Sequence, residues 1–319
     1  MTTLCAALRD LIINTLAIVV NSIYLPFAFW NVVKASLAGF TFCGNKKKFS
    51  PNVVAITGAN SGIGEGIAYA YAKDRVSLVL LARNMERLEK VAEACREMGS
   101  PDVKVVQMDV ADTKSVTDFF DEKTIEYGID LFIANAGIAS VPKTPLLDQA
   151  EKILQINVMG AIAGINSVYK AMQKRGRGGQ IAVVSSVCGF FNPPVLLSYG
   201  TSKTAVMSYC RDLRALGKDD NIIVNTIAPG YIATNMTTSF SRKDKRFFLT
   251  PEYFGEQVKK GLENDVPLIS LPLHQFFAFA IMSALPPSAK QCVSDFLHKH
   301  VDPILSKKKV EKVLPEKSH

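Results

Sequence analysis

Apolar and polar positions follow two different regimes along this chain. From Leu11 to Val33 no charged residue occurs, and after Lys34 an apolar stretch resumes to Cys43 before the run Lys46-Lys47-Lys48. Beyond the lysines, short β-branched runs alternate with amphipathic stretches: Val53–Thr57, Val76–Ala82, Val103–Met108, Ile129–Ala134, Ile181–Ser185 and Ile222–Ala228. Runs of this length and composition predict strands buried on both faces, with helices between them. Repeated strand-helix-strand order predicts an α/β fold with a doubly wound parallel sheet. Ligands then belong at the carboxyl ends of the strands. A third pattern, Pro267–Leu285, is apolar and aromatic but interrupted by Pro272, His274 and Gln275. It predicts a last buried strand followed by an amphipathic or deeply packed helix. Three regions result: an anchor with a basic flank over 1–48, one catalytic domain over 49–265, and an apolar extension with a basic tail over 266–319.

The first region is long enough to cross a bilayer core, which needs roughly 20 apolar residues. Pro26, Asn14, Asn21 and Asn31 equally permit a bent segment lying in the interface. A secretory signal peptide is the competing reading, but the apolar run far exceeds the usual ~7–15-residue core of such a peptide. Arg9 is offset by Asp10 on one side while three lysines stand on the other. That asymmetry predicts a cytosolic catalytic domain. The sequon Asn235-Met236-Thr237 should accordingly stay unmodified.

The formal charge of +8 points to anionic membrane lipids rather than nucleic acid, because no Arg-rich helix or aromatic-basic interleaving accompanies it. Cys5, Cys43, Cys95, Cys188, Cys210 and Cys292 lie scattered without metal or disulfide spacing, as in a reducing compartment. His274, His298, His300 and His319 form no metal-binding pattern, so no metal is expected.

The first strand runs into Thr57-Gly58-Ala59-Asn60-Ser61-Gly62-Ile63-Gly64, a glycine-rich turn that opens a helix. Such a turn lets backbone approach a pyrophosphate whose charge meets the helix N-terminus. After the second strand, Arg83-Asn84 stands where an NAD-binding unit offers an acid to the ribose. Arg83 offers a partner for the 2′-phosphate of NADP(H), the alternative being a surface arginine in a loop. Tyr199 and Lys203, at i and i+4, share one helix face. An ammonium beside a phenol of free pKa about 10 is expected to draw it towards the working range.

These elements together resemble the short-chain dehydrogenases/reductases, a Rossmann-type single-domain family. The resemblance covers about residues 52–265. It rests on Thr57-Gly58-x-x-x-Gly62-x-Gly64, Asn135-Ala136-Gly137, Asn157, Ser186 and Tyr199-x-x-x-Lys203 in family order and spacing. It implies that Tyr199 is the general acid/base, Ser186 polarises the substrate oxygen, and Lys203 tunes Tyr199 and binds the nicotinamide ribose. Asn157 would complete a water-linked proton relay. Of the two adjacent serines, Ser186 matches the family distance to Tyr199, with Ser185 directed back into the sheet. The same mapping puts Asp109 and Val110 beside the adenine, Asn135, Ala136 and Gly137 along the cofactor wall, and Pro229, Gly230 and Thr234 against the nicotinamide. One departure is Asp74-Arg75, where relatives carry a glycine.

The polar stretch Tyr231–Leu249, with its Arg242–Arg246 charge run, reads as a lid or as a solvated loop. An N-terminal membrane segment with an apolar C-terminal extension is similar to the branch that includes hydroxysteroid, sterol and retinol dehydrogenases and 3-ketosphinganine reductase. It implies a lipophilic substrate, a location on the endoplasmic reticulum, lipid droplet or mitochondrial outer membrane, and a homodimer. A catalytically idle scaffold of the same fold is the alternative function.

Overall fold

The computed structural model describes residues 49–237 and 248–300, with scattered positions between 15 and 30. Most of the expected anchor, the Arg242–Arg246 run and the tail beyond 300 lie outside the described residues. Among the described residues no helix is long and apolar enough to cross a membrane. The described side chains Val19, Val20, Tyr24, Phe27 and Trp30 are exposed.

Seven parallel strands form one sheet in the order β3-β2-β1-β4-β5-β6-β7. They are β1 (Val53–Thr57), β2 (Ser77–Ala82), β3 (Val103–Gln107), β4 (Leu131–Ala134), β5 (Gly179–Val184), β6 (Ile222–Ile227) and β7 (Leu268–Ile269). The intervening helices are α1 (Gly62–Ala72), α2 (Met85–Glu97), α3 (Thr113–Glu126), α4 (Ala150–Leu154), α5 (Ala161–Arg175), α6 (Leu197–Leu216), α7 (Pro251–Glu263), α8 (Leu273–Ala284) and α9 (Pro287–His300). Six of these strands match the β-branched runs within two residues at either end. The seventh is the short strand predicted after Pro267, which pairs Leu268 and Ile269 with Thr226 and Ile227. The sheet therefore continues past residue 265.

Both faces of the sheet are covered, which is why its strands are apolar without alternation. Val54, Ile56, Leu78 and Leu80 pack in one core layer, and Ala55, Val79, Leu81 and Phe132 in the other. Helices α1 and α7 meet backbone to backbone. A Cβ on Gly66 would stand 2.1 Å from Pro251 O, and one on Gly255 2.2 Å from Gly66 O.

At the departure Asp74-Arg75 the chain still takes the left-handed conformation that glycine supplies most cheaply, with Arg75 at φ 59°. Asp74 instead forms an ion pair with Lys259 at 2.6 Å. The strand order reverses beside β1, whose neighbours are β2 and β4. A crevice at the carboxyl ends of β1 and β4 is where such a sheet binds ligands.

Candidate active site

The crevice is built from two strand ends locked together. Thr57 Oγ1 accepts from the Asn135 and Ala136 amides at 3.0 and 3.1 Å. Asn135 Nδ2 donates back to Thr57 O and Gly58 O at 2.8 and 3.1 Å. Gly58, at φ 66°, lies so close that a Cβ would come 2.8 Å from Ala136 Cα, and a Cβ on Gly64 would strike Gly58 O at 2.5 Å. At Gly58 and Gly64 there is no room for a side chain, so backbone packs directly on backbone.

Ser61 is the N-cap of α1 and makes no side-chain cap bond. Asn60 and Ile63 are partly exposed around it. A cleft of about 340 Å³ opens between Ser61, Gly62 and Glu65 on one side and Thr234 and Thr237 on the other. Thr234 reaches the turn itself, its Cγ2 standing 2.9 Å from where a Gly62 Cβ would be. Glu65 has no counterpart among the residues predicted from sequence. Its carboxylate accepts from Gly62 N at 3.1 Å and from the Tyr69 hydroxyl at 2.8 Å. An acid in the first helical turn was the available signal.

Beyond β2, Arg83 stands 3.9 Å from Asp109, with side chains 59% and 49% exposed. A long pair between solvated groups holds Arg83 weakly, leaving its guanidinium available to a stronger anion. Asn84 has a different occupation. It caps α2, accepting from Arg87 N at 2.8 Å. Val110 is buried, and its carbonyl lies 2.3 Å from where a Cβ on Gly160 would sit.

The side chains expected from sequence to react collect at the end of β5. Ser185 is buried and donates to Lys203 O at 2.8 Å, away from the crevice. Ser186 accepts from Cys188 N at 3.2 Å and hydrogen-bonds with the Tyr199 side chain. Extended backbone alternates side chains across a strand, so the two neighbouring serines take opposite duties. Lys203 Nζ lies 5.7 Å from the Tyr199 ring centroid and donates to Val184 O at 2.8 Å.

The electrostatics differ from the sequence expectation. Tyr199 is pushed far above its ordinary value, chiefly by burial, with the bond to Ser186 opposing the rise. Burial also pushes Lys203 down to about 8. The pocket that brings phenol and amine together removes water from both, so each charged form is disfavoured. Cys188, beside them and not foreseen, is raised by burial to about 11.

Asn157 is buried in a π-helical segment, Gln155–Gly160, an irregularity that frequently marks functional positions. Its Oδ1 accepts from Ile138 N at 2.8 Å, and its Nδ2 donates to Ile138 O and Ser202 Oγ, both at 2.9 Å. Ser202 Oγ in turn donates to Tyr199 O at 2.6 Å. The side chain thus braces the loop after β4 against α6. Gly137 completes the convergence, since its Cβ would meet Asn157 Oδ1 at 3.1 Å and Lys203 Nζ at 3.3 Å.

The opposite wall comes from the C-terminal part of the chain. Val187 N donates to Pro229 O at 3.0 Å, and Gly230 N donates to Leu271 O at 2.9 Å. Helix α8 contacts Val187–Gly189 and α9 contacts Pro194–Leu196, so both pack on the loop between Ser186 and Tyr199. Phe276 of α8 meets Phe190 edge-on at 5.5 Å and Phe277 at 5.4 Å. Among the described residues no cluster of His, Cys, Asp and Glu is arranged to hold a metal.

Residues 52–245 match the short chain dehydrogenase family. The 11-beta-hydroxysteroid dehydrogenase-like 2 protein of Arabidopsis thaliana is 34% identical over 223 residues, covering 68% of this chain and 69% of that protein. The 11-beta-hydroxysteroid dehydrogenase A of Sesamum indicum is 37% identical, over 58% of this chain and 53% of its own length. This chain therefore matches between about half and 71% of the length of such relatives. Among solved structures, levodione reductase superimposes with a TM-score of 0.65 at 25% identity, over 71% of this chain and 98% of that one. An alcohol dehydrogenase from Thermococcus sibiricus, complexed with 5-hydroxy-NADP, gives 0.60 at 26% identity, over 69% and 94%.

Proposed function

Because this chain belongs to the short-chain dehydrogenase family, an oxidoreductase family whose fold binds a nicotinamide cofactor, we propose that it is an NADP(H)-dependent enzyme interconverting the carbonyl and alcohol of a lipophilic substrate. The observation that carries the reading is the meeting of Ser186, Tyr199 and Lys203 in one dry pocket at the end of β5. The cradle fits the cofactor: a turn whose glycine positions have no room for a side chain, an α1 N-terminus that Ser61 does not cap, and a weakly held arginine after β2. The cofactor supplies or accepts the hydride when bound.

The chain's own residues do the rest. Ser186 holds the substrate oxygen by its hydroxyl and polarises the carbonyl. The Tyr199 hydroxyl gives that oxygen a proton in reduction and takes it back in oxidation. Burial keeps the Tyr199 phenol in its protonated form, the form from which the proton is given in reduction. Lys203, near 8, exchanges a proton close to neutral pH and would hold the ribose from within the pocket. Asn157 keeps Tyr199 in register through Ser202, with the water relay assigned to its backbone because its side chain is already bonded.

Arg83 supports a preference for NADP(H), in which Thr57, Gly58, Asn60, Ser61, Gly62, Ile63 and Gly64 would surround the pyrophosphate. Asp109 and Val110 would flank the adenine. Asn135, Ala136, Gly137, Pro229, Gly230 and Thr234 would enclose the nicotinamide side. The aromatic wall Phe190–Phe276–Phe277 and the hydroxysteroid dehydrogenase names of the relatives support a lipid-sized substrate. The uncharged stretch 11–33 supports membrane tethering, with the endoplasmic reticulum first among the locations, and a homodimer is proposed on family grounds.

The deciding experiment measures NADPH and NADH oxidation by detergent-solubilised protein with ketosteroids, retinal, 3-ketosphinganine and long-chain ketones, with Tyr199→Phe in parallel. Turnover with NADPH that Tyr199→Phe abolishes is the expected result. Tight cofactor binding without turnover on any substrate would favour an idle scaffold.

A further inference from the structure

Residues 226–230 and 267–271 run as a parallel ladder that outlasts the two strands. Thr226 N donates to Pro267 O at 2.9 Å, Ala228 N to Ile269 O at 2.8 Å, and Gly230 N to Leu271 O at 2.9 Å. Ser270 Oγ adds a bond to Ala228 O at 2.6 Å. After Leu271 the partner segment leaves the ladder and turns into α8. The next backbone donor, Tyr231 N, is met instead by a side chain: Gln275 Oε1 accepts from it at 2.7 Å.

Gln275 is held for this duty. Its backbone N donates to Pro272 O at 3.1 Å, and its Oε1 would lie 2.2 Å from a Cβ on Gly230. That glycine leaves the space the carboxamide fills. Gln275 also stands out in the sequence of α8, LHQFFAFAIMSA, as one of few polar residues in an apolar helix. The stretch it holds is tied directly to the catalytic loop, because Val187 N, next to Ser186, donates to Pro229 O at 3.0 Å.

We infer that Gln275 is a positioning residue: it clamps the Pro229–Tyr231 turn, and through it the C-terminal helix α8 sets the wall against which hydride transfer takes place. This rests on the oxidoreductase reading above, in which that turn faces the nicotinamide. The helices after β7 then do more than cover the substrate side. They complete the catalytic geometry, and a change in α8 reaches Ser186 through two hydrogen-bonded steps.

The clamp needs an acceptor at Oε1, and nothing else of the amide, which makes it separable from packing. Gln275→Glu keeps an acceptor at the same reach; Gln275→Leu keeps the bulk and removes it. Three quantities are compared in the full-length protein: amide hydrogen exchange across 229–237, direct NADPH titration by fluorescence, and kcat against KM. With Gln275→Leu, exchange of the Tyr231 amide should accelerate by about 10-fold or more. Its kcat should fall on the order of 10- to 100-fold, as for a misplacement of about 1 Å, with substrate KM nearly unchanged. Gln275→Glu should recover most of both. If Gln275→Leu matches Gln275→Glu in exchange and in kcat, the clamp is refuted. It is equally refuted if both variants lose activity only in proportion to lost folded protein in a thermal melt. A wild-type protein that neither binds nor oxidises NADPH or NADH overturns the oxidoreductase reading instead, and the exchange comparison still decides whether the clamp exists.

Discussion

The proposed cofactor cradle and the Tyr199 pocket lie on the same edge of the same sheet, yet they handle charge in opposite ways. In the cradle, Arg83 and Asp109 face each other at 3.9 Å in solvent, and most of the polar work falls to backbone held in place by packed glycines. In the pocket, Lys203 is buried and displaced to about 8, and Tyr199 is driven the other way. Water explains the contrast. An exposed pair is screened and worth little by itself, so it can be redirected by a ligand. A dry pair meets desolvation with shifted pKa values, each side chain being held towards its neutral form.

Substitutions at the two sites should therefore differ in size and kind. The largest effect is expected from Tyr199→Phe, which removes the proton donor and should lower kcat by about 10²–10⁴-fold while leaving NADPH titration unchanged. Retained turnover in that variant would remove the pocket's claim to the chemistry.

Next comes a stability effect with a definite sign. Lys203 has a folded pKa near 8, below its ordinary value of 10.5. Between those two values the unfolded chain binds more protons, so the Lys203 contribution to stability rises with pH across that window. Below pH 8 both states are protonated and the full burial cost remains, on the order of 3 kcal/mol. Buried Cys95 and Cys210, raised to about 12, act in the opposite sense above pH 9. The measurement is therefore the difference in unfolding free energy between wild type and Lys203→Met from pH 7 to 10.5, and it should shrink in favour of the wild type as pH rises. A pH-independent difference would mean that Lys203 is not buried as a strained cation.

At the solvated site, Arg83→Ala should weaken NADPH binding by about 10- to 100-fold, with little change for NADH, and the loss should diminish in high salt. Equal loss for both cofactors would assign Arg83 to the fold rather than to the 2′-phosphate. The smallest effect belongs to Asn84→Ala, which should cost about 1 kcal/mol in a denaturant melt through loss of the α2 cap and leave cofactor preference unaltered.

Much of this molecule was legible from residue order. The β-branched runs located six strands because burial on both faces demands continuous apolar sequence, and the short strand after Pro267 was readable for the same reason. The choice of Ser186 over Ser185 followed from its family-like distance to Tyr199, and the i, i+4 spacing of Tyr199 and Lys203 placed them on one helical face. Arg75 shows the limit of reading by residue type, since a positive φ persists there without the glycine that would announce it.

Local sequence thus specifies elements, turns and the spacing of reactive groups, because periodicity and backbone conformation depend on near neighbours. Packing across the fold decided the protonation of Tyr199 and Lys203, the use of the Asn157 side chain as a brace, the presence of Cys188 beside the phenol, and the seating of Gln275 under Tyr231. Each of these depends on how much water distant segments exclude, or on which donor a side chain meets 19 to 45 residues away. Those quantities exist only once the chain has closed on itself.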